Sequence, residues 1–209
     1  MALAGCIDLT GLNFGEGCCG MSGGGGYSFP LTLTQADNML RGDSARIRAW
    51  GSQGDPASTW ELTGPAVFVL SRDSVATRVT TPVDAVTIRT TGTGEVRVKA
   101  LRAGTTDSTT TSFFVADSAD VTLSMPGPKD RTVRLAAETW ISAQLLDRTG
   151  RWYRAALIWS SSDTGAVTLA DGVNPTPLGK MAHGRVQGAA SVVVAFGVRH
   201  DTVRVQVVP

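Results

Sequence analysis

Val203-Arg204-Val205-Gln206-Val207 alternates apolar and polar residues without a break. Successive side chains of a β-strand point to opposite faces, so this period of two sets the valines on a core and Arg204 and Gln206 in water. Val96-Arg97-Val98-Lys99-Ala100 does the same in the first half of the chain, and Ala45-Arg46-Ile47-Arg48-Ala49-Trp50 precedes it. Nowhere do apolar residues recur over a long stretch at the i, i+3, i+4, i+7 spacing of a helix. Leu135–Leu146 is apolar enough to pass for one, but the run is short and Thr139-Trp140-Ile141 is rich in β-formers. Turn sequences punctuate the strands: Gly54-Asp55-Pro56, Thr91-Gly92-Thr93-Gly94, Pro126-Gly127-Pro128, Asp171-Gly172 and Asn174-Pro175. Many short strands with regular turns predict an antiparallel sandwich or barrel.

The composition narrows the function. With 42% hydrophobic and 18% charged residues over 209 positions, the chain has the material for a packed core. Nineteen basic residues against eighteen acidic leave a net charge of +1. No overall field draws the chain to nucleic acid, and none is expected as a partner. Most of its arginines alternate with apolar residues on strands, which reads as a solvated outer face. His183 and His200 stand far apart, and neither has a neighbour at metal-ligand spacing. No Gly-x-Ser-x-Gly elbow, phosphate loop or His-Glu-x-x-His occurs. The expectation is a protein with no catalysis, no cofactor and no metal.

The chain divides into three. Met1–Tyr27 holds all three cysteines, Cys6, Cys18 and Cys19, and the run Gly23–Gly26. Glycine at that density maximises the entropy lost on ordering, so residues 1–27 are expected to form a flexible tether. The remainder of the chain repeats weakly. Arg48-Ala49-Trp50, Trp60, Val96–Leu101 and Thr111–Val115 in the first half answer to Ile141–Leu146, Trp159, Gly188–Phe196 and Thr202–Val207 in the second. Each half, 28–117 and 118–209, is near the ~100 residues of an immunoglobulin-like sandwich, with the join near Asp117–Asp120. The fold class expected is all-β: two tandem immunoglobulin-like antiparallel β-sandwiches after a flexible N-terminal tether.

Ile158-Trp159-Ser160-Ser161-Ser162-Asp163, Ala166-Val167-Thr168-Leu169 and Gly188-Ala189-Ala190-Ser191-Val192-Val193-Val194 carry a resemblance over Val121–Val207. They resemble the group 2 bacterial immunoglobulin-like domain, the module found in tandem in intimins and invasins. The first half is similar through Leu40-Arg41-Gly42-Asp43-Ser44 and Trp60, but it lacks the Ser-Ser pair and carries a longer middle region, Pro65–Ala85. The resemblance implies a cell-envelope spacer, adhesin stalk or carbohydrate-adjacent module rather than a catalytic fold. Leu3-Ala4-Gly5-Cys6 resembles a bacterial lipoprotein lipobox. That implies a lipid on the Cys6 sulfur and membrane anchoring through it. A signal peptide needs an apolar stretch of about 7–15 residues. Either the start lies upstream, with Met1 inside that stretch, or the four-residue match arises by chance.

Two surface readings complete the expectation. Trp152 and Tyr153 follow the Asp147–Gly150 turn between Arg151 and Arg154. Adjacent strand residues point to opposite faces, so at least one aromatic is expected in solvent, where it would contact a glycan or protein ligand. Trp140 is the third candidate, and the bland alternative is a loop folded over the end of the sandwich. Trp60 and Trp159 are read as core residues on central strands. Arg41-Gly42-Asp43 spells the integrin-binding tripeptide at a place where a turn already requires Gly and Asp.

Overall fold

The computed structural model describes residues 30–51, 54, 56–172 and 178–209. The tether, its three cysteines and the Asn174-Pro175 turn lie outside the described residues.

In the first half the strands are β1 (Thr32–Leu33), β2 (Met39–Leu40), β3 (Ser44–Trp50), β4 (Ser58–Thr63), β5 (Ala66–Ser71), β6 (Ser74–Ala76), β7 (Arg78–Val83), β8 (Ala85–Thr90), β9 (Gly94–Arg102) and β10 (Ser108–Ala116). A short 3-10 turn, Ser118–Asp120, leads on. The second half holds β11 (Thr122–Ser124), β12 (Asp130–Arg134), β13 (Glu138–Ser142), β14 (Gln144–Leu146), β15 (Ile158–Ser161), β16 (Val167–Ala170), β17 (Gly179–Gly184), β18 (Gly188–Phe196) and β19 (Arg199–Val208). The helix-like stretch 135–146 is a turn followed by β13 and β14, as the β-branched and aromatic Thr139-Trp140-Ile141 require.

Strand order in the first half is β1-β3-β8-β5-β6 in one sheet and β2-β10-β9-β4-β7 in the other. In the second it is β11-β14 with β13-β17-β16, facing β12-β19-β18-β15. Lettered A to G in chain order, both halves set strands A, B, E and D against G, F and C, the arrangement of an immunoglobulin-like sandwich. In both, an early strand also pairs parallel with the last one, β2 with β10 and β12 with β19. The alternating segments set inward rows that meet between the sheets. Ile47, Trp60, Phe68, Ile88, Val96 and Val98 fill the first core, and Ile141, Leu145, Val192, Val194 and Val205 fill the second.

The repeat extends to single hydrogen bonds. In the first half, the N–H groups of Arg41, Gly42 and Asp43 donate to the carbonyls of Ala116, Thr90 and Leu40. In the second, Leu135, Ala136 and Ala137 donate to Val208, Gly184 and Arg134. Gly42 has φ +93°, and Ala136 occupies the same turn position at φ +61°. Arg41-Gly42-Asp43 is therefore a tight turn between β2 and β3, with Asp43 Oδ2 accepting from the Leu40 N–H at 3.3 Å.

The halves differ in one respect. The longer middle region of the first builds β6 and β7, and β7 pairs antiparallel with β4. Among the described residues the second half has no strand in that seat, so β15 is an edge strand. Trp60 is fully buried on a central strand. Trp159 packs half-buried against the second core, as expected, but on an edge strand rather than the central strand expected.

Candidate functional site: the seam between the sandwiches

The halves meet through residues that local periodicity does not mark. Leu40 and Ala116 end β2 and β10 of the first half, yet their side chains join the second core. Phe114 packs against that core as well. Burying them across the junction removes apolar surface from water at about 25 cal/mol per Å². Directional contacts then set the orientation. Asn38 Oδ1 accepts from the Phe114 N–H at 2.8 Å, and its Nδ2 donates to the Trp152 carbonyl at 3.0 Å. The Asn38 carbonyl accepts from the Arg154 N–H at 3.1 Å. One side chain and its own backbone thus tie the first half to the loop between β14 and β15.

That loop is shaped by Asp147. Its Oδ1 accepts from the Thr149 N–H at 2.8 Å, the Thr149 hydroxyl at 2.7 Å and the Arg151 N–H at 3.0 Å. Its Oδ2 accepts from the Tyr153 hydroxyl at 3.0 Å. An Asp accepting from the residues after it is the Asx-turn habit of this residue. The Thr149 hydroxyl, with the Arg151 N–H, Tyr153 hydroxyl and Thr149 N–H behind it, holds the Asp147 carboxyl down to about 2 against the opposing effect of burial. Burial first, and the bond to Asp147 second, push the Tyr153 phenol up to about 12. The ordered loop sets the Arg151 guanidinium over the Phe114 ring, 3.8 Å from its centroid.

Ion pairs flank the seam: Arg154–Asp37 at 3.3 Å and Arg41–Asp117 at 3.4 Å. Arg199 donates to the Ser118 and Ala119 carbonyls at 2.6 and 3.0 Å, capping the connecting turn. On one side the seam opens into a groove of about 540 Å³ lined by Gln35, Asp37, Met39, Arg46, Arg154 and Ala156. Its charged groups are of both signs, and Asp37 and Arg154 are spent on each other. The arrangement fixes two bodies together and converges no reactive groups on a shared point.

The aromatic candidates fall in different environments. Trp152 is 46% exposed beside the seam, and it meets the first half through its carbonyl. Tyr153 is 2% exposed and hydrogen-bonded to Asp147, so it presents no contact surface, a correction to its place among the ligand candidates. The alternation of adjacent residues holds, and it selects Trp152 as the outward one. Trp140 is 38% exposed on the outer face of β13, above Gly172 and Gly179. A Cβ built on Gly179 would lie 2.1 Å from its ring. Trp140 stands on β13, whereas Trp152 lies in the loop after β14 and is bridged to Leu146. Cys6 lies outside the described residues.

Sequence reading missed Asn38 and Asp201. Asp201 lies within β19. It accepts from the Met125 N–H at 2.7 Å and from Lys129 Nζ at 2.6 Å. His183 Nδ1 lies 3.0 Å from Glu138 Oε1 across β13 and β17. No signal in the sequence pairs residues so far apart.

No family model and no curated protein matches the chain. Among solved structures it is similar to domains 4 and 5 of the S-layer protein SbsC, at 15% identity and a TM-score of 0.39, over 86% of this chain and 98% of that one. It is similar to a chimeric titin Z1Z2, at 12% identity and 0.36, over 86% and 96%. It is also similar to the insect immune protein hemolin, at 13% identity and 0.32, over 88% and 48%. Likeness at these values says nothing of what this chain binds.

Proposed function

We propose that the chain is a non-catalytic spacer of the bacterial cell envelope, in which two docked sandwiches act as one stiff body that projects a binding surface from the cell. The observation that carries this reading is the contribution of Leu40 and Ala116 to the second core, locked by Asn38. Units on a free linker would leave those apolar residues in water. The strand pairing also suits tension. The parallel pair β12·β19 runs over five residues, Asp130↔Arg204 to Arg134↔Val208. Pulling the half at its two ends loads those hydrogen bonds together in shear rather than one after another.

Small-angle scattering and ¹⁵N relaxation on the full chain test the stiffness. The reading expects a single elongated shape and one correlation time for both halves, and independent tumbling would overturn it. Anchoring through a lipid on Cys6 belongs to the same proposal. Its tests are incorporation of labelled palmitate, abolished by Cys6→Ser, and release of the protein by protease from intact cells. Absence of label, with the protein retained inside the cell, would remove the envelope reading. A carbohydrate-binding or accessory role is the competing reading. It rests on the exposed rings of Trp152 and Trp140, and a glycan-array screen showing no binding by the wild type or by Trp152→Ala would end it.

A further inference from the structure

The vacant place beside β15 is defined by the chain's own repeat. In the first half, Val115 pairs with Gly94, and six residues along β9 from Gly94, Ala100 pairs with Trp60. In the second, Val207 pairs with Gly188, and six residues along β18, Val194 pairs with Trp159. Trp60 and Trp159 are thus equivalent in register. The Trp60 indole N–H donates to the Val83 carbonyl at 3.1 Å. Val83 ends β7 and pairs with Ser58. Among the described residues the Trp159 Nε1 is buried without a hydrogen-bond partner, and the second half lacks the strand that would supply its carbonyl. A buried donor left unpaired is destabilising, so it favours any event that brings an acceptor.

The edge itself is unguarded. β7, the corresponding outer edge of the first half, carries Arg78 and Pro82. β12, at the other side of the same four-stranded sheet, carries Asp130, Arg131 and Arg134. Charge and proline on an edge block further pairing. β15 reads Ile-Trp-Ser-Ser, with neither, and Ile158 is 72% exposed.

We propose that β15 is a homodimerisation edge, paired antiparallel with β15 of a second copy. The repeat states what the seat accepts: β7 lies antiparallel to β4. A strand paired with itself about a two-fold axis is antiparallel by necessity, and two-fold dimers are the commonest closed assembly. The absence of charge means that self-pairing brings no like charges together. The pairing continues the sheet from one copy into the other and covers Ile158. A carbonyl placed opposite Leu157, as Val83 is opposite Ser58, satisfies the Trp159 indole.

Sedimentation equilibrium of the full chain over a wide concentration range tests the proposal, alongside ¹⁵N spectra of the indole N–H groups and amide exchange along β15. The expected result is a monomer–dimer equilibrium. On association, the Trp159 indole resonance moves and the β15 amides exchange more slowly. Ile158→Lys and, separately, Ser160→Lys each set a charge on the exposed edge and weaken the dimer about tenfold or more while leaving the melting temperature of the monomer in place. Two variants guard against one that fails to fold. A chain that stays monomeric at NMR concentrations overturns the proposal. So does a dimer indifferent to both lysines, with β15 amides still open to exchange.

Discussion

At the scale of single residues, Asp147 is the group whose protonation state bears on the seam. Its folded pKa lies below the ordinary carboxylate value, so its contribution to stability is complete above about pH 4. It is lost as pH falls through about 2, when the proton displaces the donors of Thr149, Arg151 and Tyr153. Tyr153→Phe removes one of those donors. The carboxyl of Asp147 should then titrate at higher pH than in the wild type, read by NMR of its side-chain carbon. An unchanged titration would mean that the Tyr153 hydroxyl contributes nothing. Ala136 is a second case. It holds φ +61° where the first half uses Gly42 at +93°. A side chain in that left-handed region costs on the order of 1 kcal/mol. Ala136→Gly should therefore leave stability level or raise it by up to about 1 kcal/mol in denaturant unfolding, whereas Gly42→Ala should lower it.

Among the elements, the informative contrast is β4 against β15. Both carry a tryptophan at the same register, and among the described residues only β4 has an outer neighbour. Trp60→Phe removes the hydrogen bond to Val83 and leaves ring volume unfilled in a closed core, at a cost of about 2–4 kcal/mol. Trp159→Phe removes a donor with no partner from a half-buried site, and measured on the monomer it should cost the smaller amount. Equal losses in urea unfolding would contradict the equivalence. Asp201 shows how a strand residue can serve a neighbouring segment. It draws the Met125 N–H and Lys129 onto β19 and so sets where β12 begins its parallel pairing.

The whole molecule is held as one body by a small number of contacts, which makes it testable at one residue. Asn38→Ala removes two side-chain hydrogen bonds, to Phe114 and Trp152, worth about 1–3 kcal/mol together. Calorimetry of the wild type should show one cooperative transition, since Leu40 and Ala116 couple the cores. The Asn38→Ala chain should melt at a lower temperature and over a broader range, as the halves are coupled less tightly. A variant that still melts in a single unaltered step would place the coupling elsewhere.

Much of this architecture is legible in the amino-acid order. The period of two in 45–50, 96–100 and 203–207 states which side chains face inward, because strand geometry turns every second residue to the same face. The matching tryptophans and closing strands state that the unit is used twice. Tertiary structure alone decided the rest. Alternation tells a strand which face to bury and says nothing about its lateral neighbours, since backbone hydrogen bonds carry no side-chain identity. Hence the edge position of β15, the transfer of Leu40 and Ala116 to the other half's core, and the joining of Asn38 to a loop 114 residues away all come from long-range pairing. The same holds for Trp152 and Tyr153. Their opposite orientations are local, but which of them meets water depends on Asp147 and on the seam that the loop was shaped to meet.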